Sequence, residues 1–204
     1  MSRALALSLV LLVASCGGSA PAPSIVAIYG DSLQSGHIAV WPWRLPVPPA
    51  RRLQQLLGDD YTVIDYAQPG ARARDAITGA PTMPLGPFAE HVASIEADTI
   101  VLRYGGADAV LDTDLADFER DMASMVDHAR ASDRRVMLVG LVFVPEHEPR
   151  LAAFDAAIRR VAAAAGVPFV DTRSAPAGGL VDGIHPDQEY ADRTQQLIAQ
   201  AVRQ

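Results

Sequence analysis

Five short apolar runs, rich in β-branched residues and separated by stretches with helical spacing, set the strongest limit on how this chain folds. They are SIVAIYG at 24–30, YTVIDYA at 61–67, DTIVLRYG at 98–105, RVMLVGLVF at 135–143 and the shorter VPFV at 167–170. None alternates polar with apolar residues as a strand with one wet face does, so the runs predict a parallel sheet covered on both sides. Between them, 49–57 places Leu53, Leu56 and Leu57 on one helical face, and 113–131 carries Leu115, Phe118, Met122, Met125 and Val126 at helical spacing. Asp112 and Asp114 suit the start of that helix, and 148–165 and 186–202 read as two more. Strand–helix alternation over 204 residues predicts an α/β fold: one three-layer α/β/α sandwich around a mainly parallel five-stranded sheet.

In an open parallel sheet the ligand site lies beyond the carboxyl ends of the strands. The segments just after the strands therefore carry the functional reading. The first run ends in Gly30-Asp31-Ser32-Leu33, the second in Ala67-Gln68-Pro69-Gly70-Ala71-Arg72 and the third in Tyr104-Gly105-Gly106-Ala107-Asp108. Asp182-Gly183-Ile184-His185-Pro186 precedes the last helical stretch. A serine hydroxyl is a poor nucleophile unless a base takes its proton. Imidazole is the usual base, and a carboxylate orients it and stabilises its charged form. Asp182 and His185 stand three apart in a turn that Gly183 permits, so they can reach one another, and Pro186 suits the first position of the following helix. Taken singly, Ser32 reads as a turn residue and His185 as a helix-capping residue; taken together they point to an activated serine.

The net charge is −7 and Lys is absent, so every basic side chain is Arg. An acidic chain with no basic run gives no support for nucleic-acid binding, and lysine chemistry is excluded. The N-terminus reads as a processing segment. Met1-Ser2-Arg3 is a short positive start, and the apolar stretch from Ala4 to Val13, broken by Ser8, is about ten residues, against the roughly 20 that a spanning helix needs. Val13-Ala14-Ser15-Cys16 then resembles the lipobox of bacterial lipoproteins, and Cys16 is the only cysteine. That resemblance implies a signal peptide over 1–15, a lipidated Cys16 opening a tether over 16–23, and a folded domain over 24–204. It also implies a bacterial envelope address, with a lipid anchor in the membrane and the domain facing the periplasm or exterior. The alternative is an ordinary secretion signal with an incidental cysteine. With one cysteine, no intrachain disulfide can form.

The four post-strand blocks resemble those of the SGNH family of GDSL-type serine hydrolases, over nearly all of the chain from Ile25 onward. The resemblance implies a flavodoxin-like strand arrangement and a triad of Ser32, His185 and Asp182. It implies an oxyanion hole formed by the N–H groups of Ser32 and Gly70 together with the side-chain amide of an Asn in a G-x-N-D block. Here that block is Gly105-Gly106-Ala107-Asp108, so Ala107 stands where the family has Asn. Removing one such donor typically costs about 10²–10³ in rate. Three readings of Ala107 stay open: a slow enzyme, another donor in its place (Arg72, Arg103 and Gln34 lie in neighbouring segments), or a binding protein that has lost the chemistry. Asp108 is expected to hold its loop. The G-x-S-x-G elbow of α/β-hydrolases is absent around Ser32.

Two classes of function follow from the resemblance. One is an esterase cleaving acyl esters or O-acetylated sugars through an acyl-enzyme, with an O-acyltransferase as its variant. The other is a non-catalytic lipoprotein that binds an envelope glycan or ester. No cofactor and no metal are implied, and a monomer is the default. His37 reads either as a substrate contact or as a solvent-facing loop residue. Trp41-Pro42-Trp43 reads either as an aromatic wall or as loop packing. Arg72 and Arg74 read as an anion contact or as a solvated helix start. Glu146-His147-Glu148 has metal-ligand residue types, but adjacent residues rarely chelate one ion together, and no metal is assigned. His91 and His128 are expected to be exposed on helices.

Overall fold

The computed structural model describes residues 21–40, 42–80, 83–131 and 133–204. The expected signal segment, Cys16 and Trp41 lie outside the described residues. Strands β1 (Ser24–Gly30), β2 (Tyr61–Asp65), β3 (Thr99–Arg103), β4 (Arg135–Val139) and β5 (Phe169–Val170) pair in parallel, in the order β2-β1-β3-β4-β5. The described residues form eight α-helices around them: α1 (Ser32–Ser35), α2 (Pro49–Leu57), α3 (Ala73–Thr78), α4 (Phe88–Ser94), α5 (Gly106–Val110), α6 (Leu115–Arg130), α7 (Glu148–Ala165) and α8 (Gln188–Val202). No helix among the described residues is long and apolar enough to cross a membrane.

Successive side chains of a strand point to opposite faces, and here both faces are covered. In β1, Val26 and Ile28 pack with Leu53 and Leu57 of α2 and Ile198 and Val202 of α8. Ala27 and Tyr29 belong to the larger core, with Phe88 of α4, Phe118 and Met122 of α6 and Phe154 of α7. β3 repeats the division, with Val101 in the first core and Ile100 and Leu102 in the second. The result is the expected three-layer α/β/α sandwich. After β1 the chain runs to one neighbour, β2, and then crosses to the other, β3. That reversal opens a crevice at the carboxyl ends of β1 and β3.

Several local expectations change. The run at 135–143 leaves the sheet after Val139, because Gly140 marks a tight crossing. A Cβ there would lie 2.6 Å from Asp155 Oδ1 and 2.8 Å from the Phe169 ring. Leu141 and Val142 are buried in a loop rather than a strand, and Phe143 is exposed. The last helix begins at Gln188, two residues later than expected, with Asp187 as its N-cap accepting the Tyr190 N–H at 2.8 Å. Pro186 instead pairs with Leu180 in a short antiparallel bridge. Asp114 caps α6 by accepting the N–H groups of Ala116 and Asp117. His91 is half-buried: its Nδ1 lies 2.7 Å from the Tyr29 hydroxyl, and its ring stands edge-on to Tyr66 at 4.6 Å. His128 is exposed.

Candidate active site

β1 ends in a squeeze. A Cβ on Gly30 would lie 2.5 Å from the Arg103 carbonyl oxygen on β3, so only hydrogen fits at that position. The next residue, Asp31, is fully buried and is the N-cap of α1. Its carboxylate accepts the Leu33 N–H at 2.9 Å and the Ala107 N–H at 3.0 Å, and so ties the turn after β1 to the start of α5. Burial pushes the Asp31 carboxyl up; the N–H groups of Ala107, Leu33 and Gly106 and the nearby Arg103 charge pull the other way. Ser32 follows at the first turn of α1, at the mouth of the crevice.

Asp182 and His185 reach Ser32 from the turn before α8. Ser32 Oγ lies 2.8 Å from His185 Nε2, and His185 Nδ1 lies 2.7 Å from Asp182 Oδ2. The Asp182 side chain is nearly buried and accepts main-chain N–H groups from Ile184, His185 and Ala39. Burial alone would raise its pKa, but these donors and the imidazole outweigh it and hold the carboxyl at about 2. An ionised carboxylate can only accept, so Nδ1 carries the imidazole proton and Nε2 is left to accept from the Ser32 hydroxyl. The three residues expected to act together are therefore in one hydrogen-bonded chain.

Gly70 occupies the third position of a turn closed by the Ala71 N–H donating to Gln68 O at 3.1 Å, with φ of +75° at Gly70. Pro69 before it and a left-handed residue at Gly70 are what a type II turn requires. A Cβ at Gly70 would meet nothing within 4 Å, so backbone conformation and not space selects glycine there. The N–H groups of Ser32 and Gly70 have no acceptor among the described residues, whereas that of Ala107 is occupied by Asp31. Asp108 ties the two loops together by accepting the Ala73 N–H at 3.1 Å. Burial pushes its carboxyl up to about 7 against that donor.

These groups open into a cavity of about 500 Å³ with a largely apolar wall: Leu33, Ile38, Ala39, Trp43, Pro69, Val110, Leu111, Val142, Val144, Leu151 and Ile184, besides Ser32, His37, Gly70, Gly106, Ala107 and His185. The apolar residues that run past the end of β4 thus supply part of the wall. Trp43 is 54 % exposed and lines the cavity, which favours the wall reading for it. His37 also lines it, with both ring nitrogens engaged. Arg44 Nε can only donate, so His37 Nε2 accepts it at 2.9 Å and Nδ1 carries the proton toward Ser35 Oγ, also at 2.9 Å. Burial, then the charges of Arg44 and His185, lower the His37 pKa. A ring so occupied is a wall, not a second base.

None of the substitute donors considered for the Ala107 position lines the cavity. Arg72 pairs with Asp75 at the start of α3. Arg103 is buried behind α1, donating to Leu33 O, Gln34 Oε1 and Thr194 Oγ1, and burial lowers its pKa to about 10 against the opposing pull of Asp31. Gln34 is buried with it. Arg74 pairs with Asp121, so neither arginine after Gly70 is free for an anion. Glu148 pairs with Arg173. Among the described residues no group of three or more His, Cys, Asp or Glu is placed to hold a metal ion. The group missed by reasoning from side chains is the Ala39 N–H on Asp182, since a backbone donor carries no residue-type signal.

The model of the GDSL-like Lipase/Acylhydrolase family matches residues 24–193. Esterase TesA of Pseudomonas aeruginosa is 30 % identical over 143 residues, which cover 66 % of this chain and 67 % of the relative. Among solved structures, an aryl esterase of M. smegmatis superposes with a TM-score of 0.73 at 21 % identity, over 88 % of this chain and 98 % of that one. Est24, described as a carbohydrate acetylesterase from Sinorhizobium meliloti, does so with a TM-score of 0.72 at 17 % identity and the same coverage of 88 % and 98 %.

Proposed function

The chain belongs to the GDSL-like lipase/acylhydrolase family, and on that premise we propose that it is an ester hydrolase working through an acyl-enzyme on Ser32. The observation that carries this reading is the continuous chain from Ser32 Oγ through His185 to Asp182, with contacts of 2.8 and 2.7 Å, at the mouth of an apolar cavity. His185 Nε2 takes the hydroxyl proton as Ser32 Oγ bonds to the ester carbonyl carbon and the carbonyl electron pair moves onto its oxygen. The N–H groups of Ser32 and Gly70 stabilise that oxyanion. Collapse breaks the bond to the alcohol oxygen, which leaves with the proton from His185. Water then gives its proton to His185 and its oxygen to the acyl carbon. Ser32 departs with that proton, and the carboxylic acid is released.

The apolar wall suits the acyl portion of the substrate, because each methylene buried there contributes about 0.8 kcal/mol. A polyhydroxylated ring would lose water without finding partners. Acyl esters therefore fit the cavity better than a buried sugar, and an O-acetylated sugar fits with its acetyl group inside and its ring at the Trp43 rim. The protein works as a monomer, tethered through Cys16 to a bacterial envelope membrane; the sequence around Cys16 supports that address.

Ser32→Ala is expected to abolish turnover of short nitrophenyl esters and labelling by a fluorophosphonate probe. Turnover retained in that variant rules out Ser32 as the nucleophile. A parent protein that neither labels nor turns over favours the non-catalytic binding reading. Acyl transfer to an added sugar alcohol in preference to water favours the acyltransferase.

A further inference from the structure

We propose that Ala39 is a positioning residue for this reaction, its backbone N–H holding the Asp182 carboxylate from a segment that also walls the cavity; the proposal rests on the roles assigned to Ser32, His185 and Asp182 above. The Ala39 N–H donates to Asp182 Oδ2 at 2.6 Å, and His185 Nδ1 lies 2.7 Å from the same oxygen. Oδ1 accepts the N–H groups of Ile184 at 3.1 Å and His185 at 2.8 Å. Two of the three main-chain donors thus come from the turn that carries Asp182. The third arrives from 143 residues away in the chain.

Ala39 belongs to a hairpin between α1 and α2. Leu45 N–H donates to Gly36 O at 2.9 Å, Ile38 N–H to Trp43 O at 3.2 Å and Trp43 N–H to Val40 O at 2.7 Å. Ile38 is buried against Leu45 and Ala191 of α8, which seats the hairpin beside the helix that follows His185. Ile38 and Trp43 also line the cavity. Trp43 adopts φ of +67°, a conformation that a bulky residue rarely takes and that persists only where its surroundings over-determine it. One short segment therefore meets the cavity through its side chains and meets Asp182 through its backbone.

A carboxylate fixed on one oxygen only can turn about its last torsion. Donors on both oxygens fix its plane and stabilise its ionised form. Without the Ala39 N–H, Oδ2 would be left with the imidazole alone. Asp182 would be easier to protonate and freer to rotate away from His185. His185 is the titratable side chain that bonds Asp182 among the described residues, and His37 stands beyond it on the hairpin itself.

Replacing Ala39 by lactic acid turns the peptide N–H into an ester oxygen and keeps the methyl group. We expect the Asp182 acid dissociation constant, read from the ¹³C resonance of its carboxyl carbon, to fall about tenfold. Turnover of a short nitrophenyl ester is expected to fall about tenfold in kcat with KM unchanged, because the N–H touches no substrate. Ala39→Gly keeps the donor and should retain the parental Asp182 titration. In the parent itself the Ala39 amide should resist hydrogen exchange although the residue is solvent-exposed, and Asp182→Asn should weaken that protection. A lactic-acid variant with parental titration and kcat, an Ala39→Gly variant that shifts the titration, or an unprotected Ala39 amide in the parent overturns the proposal. Titration and exchange report the contact whatever Ser32 does, so failure here and failure of the serine assay are distinguishable.

Discussion

Replacing Ala107 with Asn tests how many donors face the developing oxyanion. The Ala107 N–H is held by Asp31 Oδ2 at 3.0 Å, and its methyl group donates nothing. That leaves the N–H groups of Ser32 and Gly70, neither with an acceptor among the described residues. A preorganised third donor is worth about 10²–10³ in rate, or roughly 3–4 kcal/mol. An amide introduced without a partner to hold it will realise part of that, so a gain of about tenfold in kcat, near 1.4 kcal/mol, is expected. The structure favours a clean substitution. The backbone is pinned through Asp31, and the new side chain enters the wall of a cavity of about 500 Å³. The assay is steady-state hydrolysis of nitrophenyl butyrate, normalised to active serine by fluorophosphonate titration. A gain in kcat at constant KM marks an interaction made only in the transition state. Ala107→Asp has nearly the same shape with the opposite electrostatics and should lower kcat. An unchanged rate in Ala107→Asn would refute the two-donor account and mean that another group already serves the oxyanion.

Two further outcomes are expected. The Asp108 carboxyl, pushed up to about 7 by burial, keeps a proton that the unfolded chain gives up from about pH 4, so stability falls as pH rises through that window, by at most about 1.4 kcal/mol per unit, and levels off above it. The parent Tm should therefore drop between pH 5 and pH 8, and Asp108→Asn, which still accepts from Ala73 but cannot ionise, should flatten the curve in a thermal-melt series; parallel curves would count against the protonated Asp108. Val110→Phe narrows the apolar-walled cavity and should cut octanoyl-ester turnover by about tenfold relative to acetyl-ester turnover, the worth of roughly two excluded methylenes; an equal loss on both would place the acyl chain elsewhere.

The strands were legible because β-branched runs such as Ile25-Val26-Ala27-Ile28 leave few alternatives once they recur between helical stretches. α1, α3, α4 and α5 were not, since four to seven residues hold less than two turns of helical period. The end of β4 was obscured because Leu141, Val142 and Val144 stay apolar for a different reason, two of them serving the cavity wall. In the site, Ser32, Asp182 and His185 were legible as residue types in short motifs after β1 and before α8, and Gly70 only through the resemblance of its block. Exposure was harder to read. His91 lies on a polar-looking stretch, yet Tyr29 and Tyr66 draw it into the protein. The support around Asp182 left no trace at all, because the donors are main-chain N–H groups whose position depends on how a distant hairpin is seated.

The crowding where β1 meets β3 changes how the opening motif should be weighed when chains of this kind are compared. Residue 30 sets how closely two neighbouring strands approach, with the Arg103 carbonyl 2.5 Å from where a methyl carbon would sit, and residue 31 clamps two loops. Both duties survive if the chemistry disappears, so a descendant that had become an inert binder would keep its Gly-Asp pair unchanged. Loss of catalysis would be recorded first at positions 32 and 185, and it is there that diverged relatives should be sorted into working enzymes and retired ones.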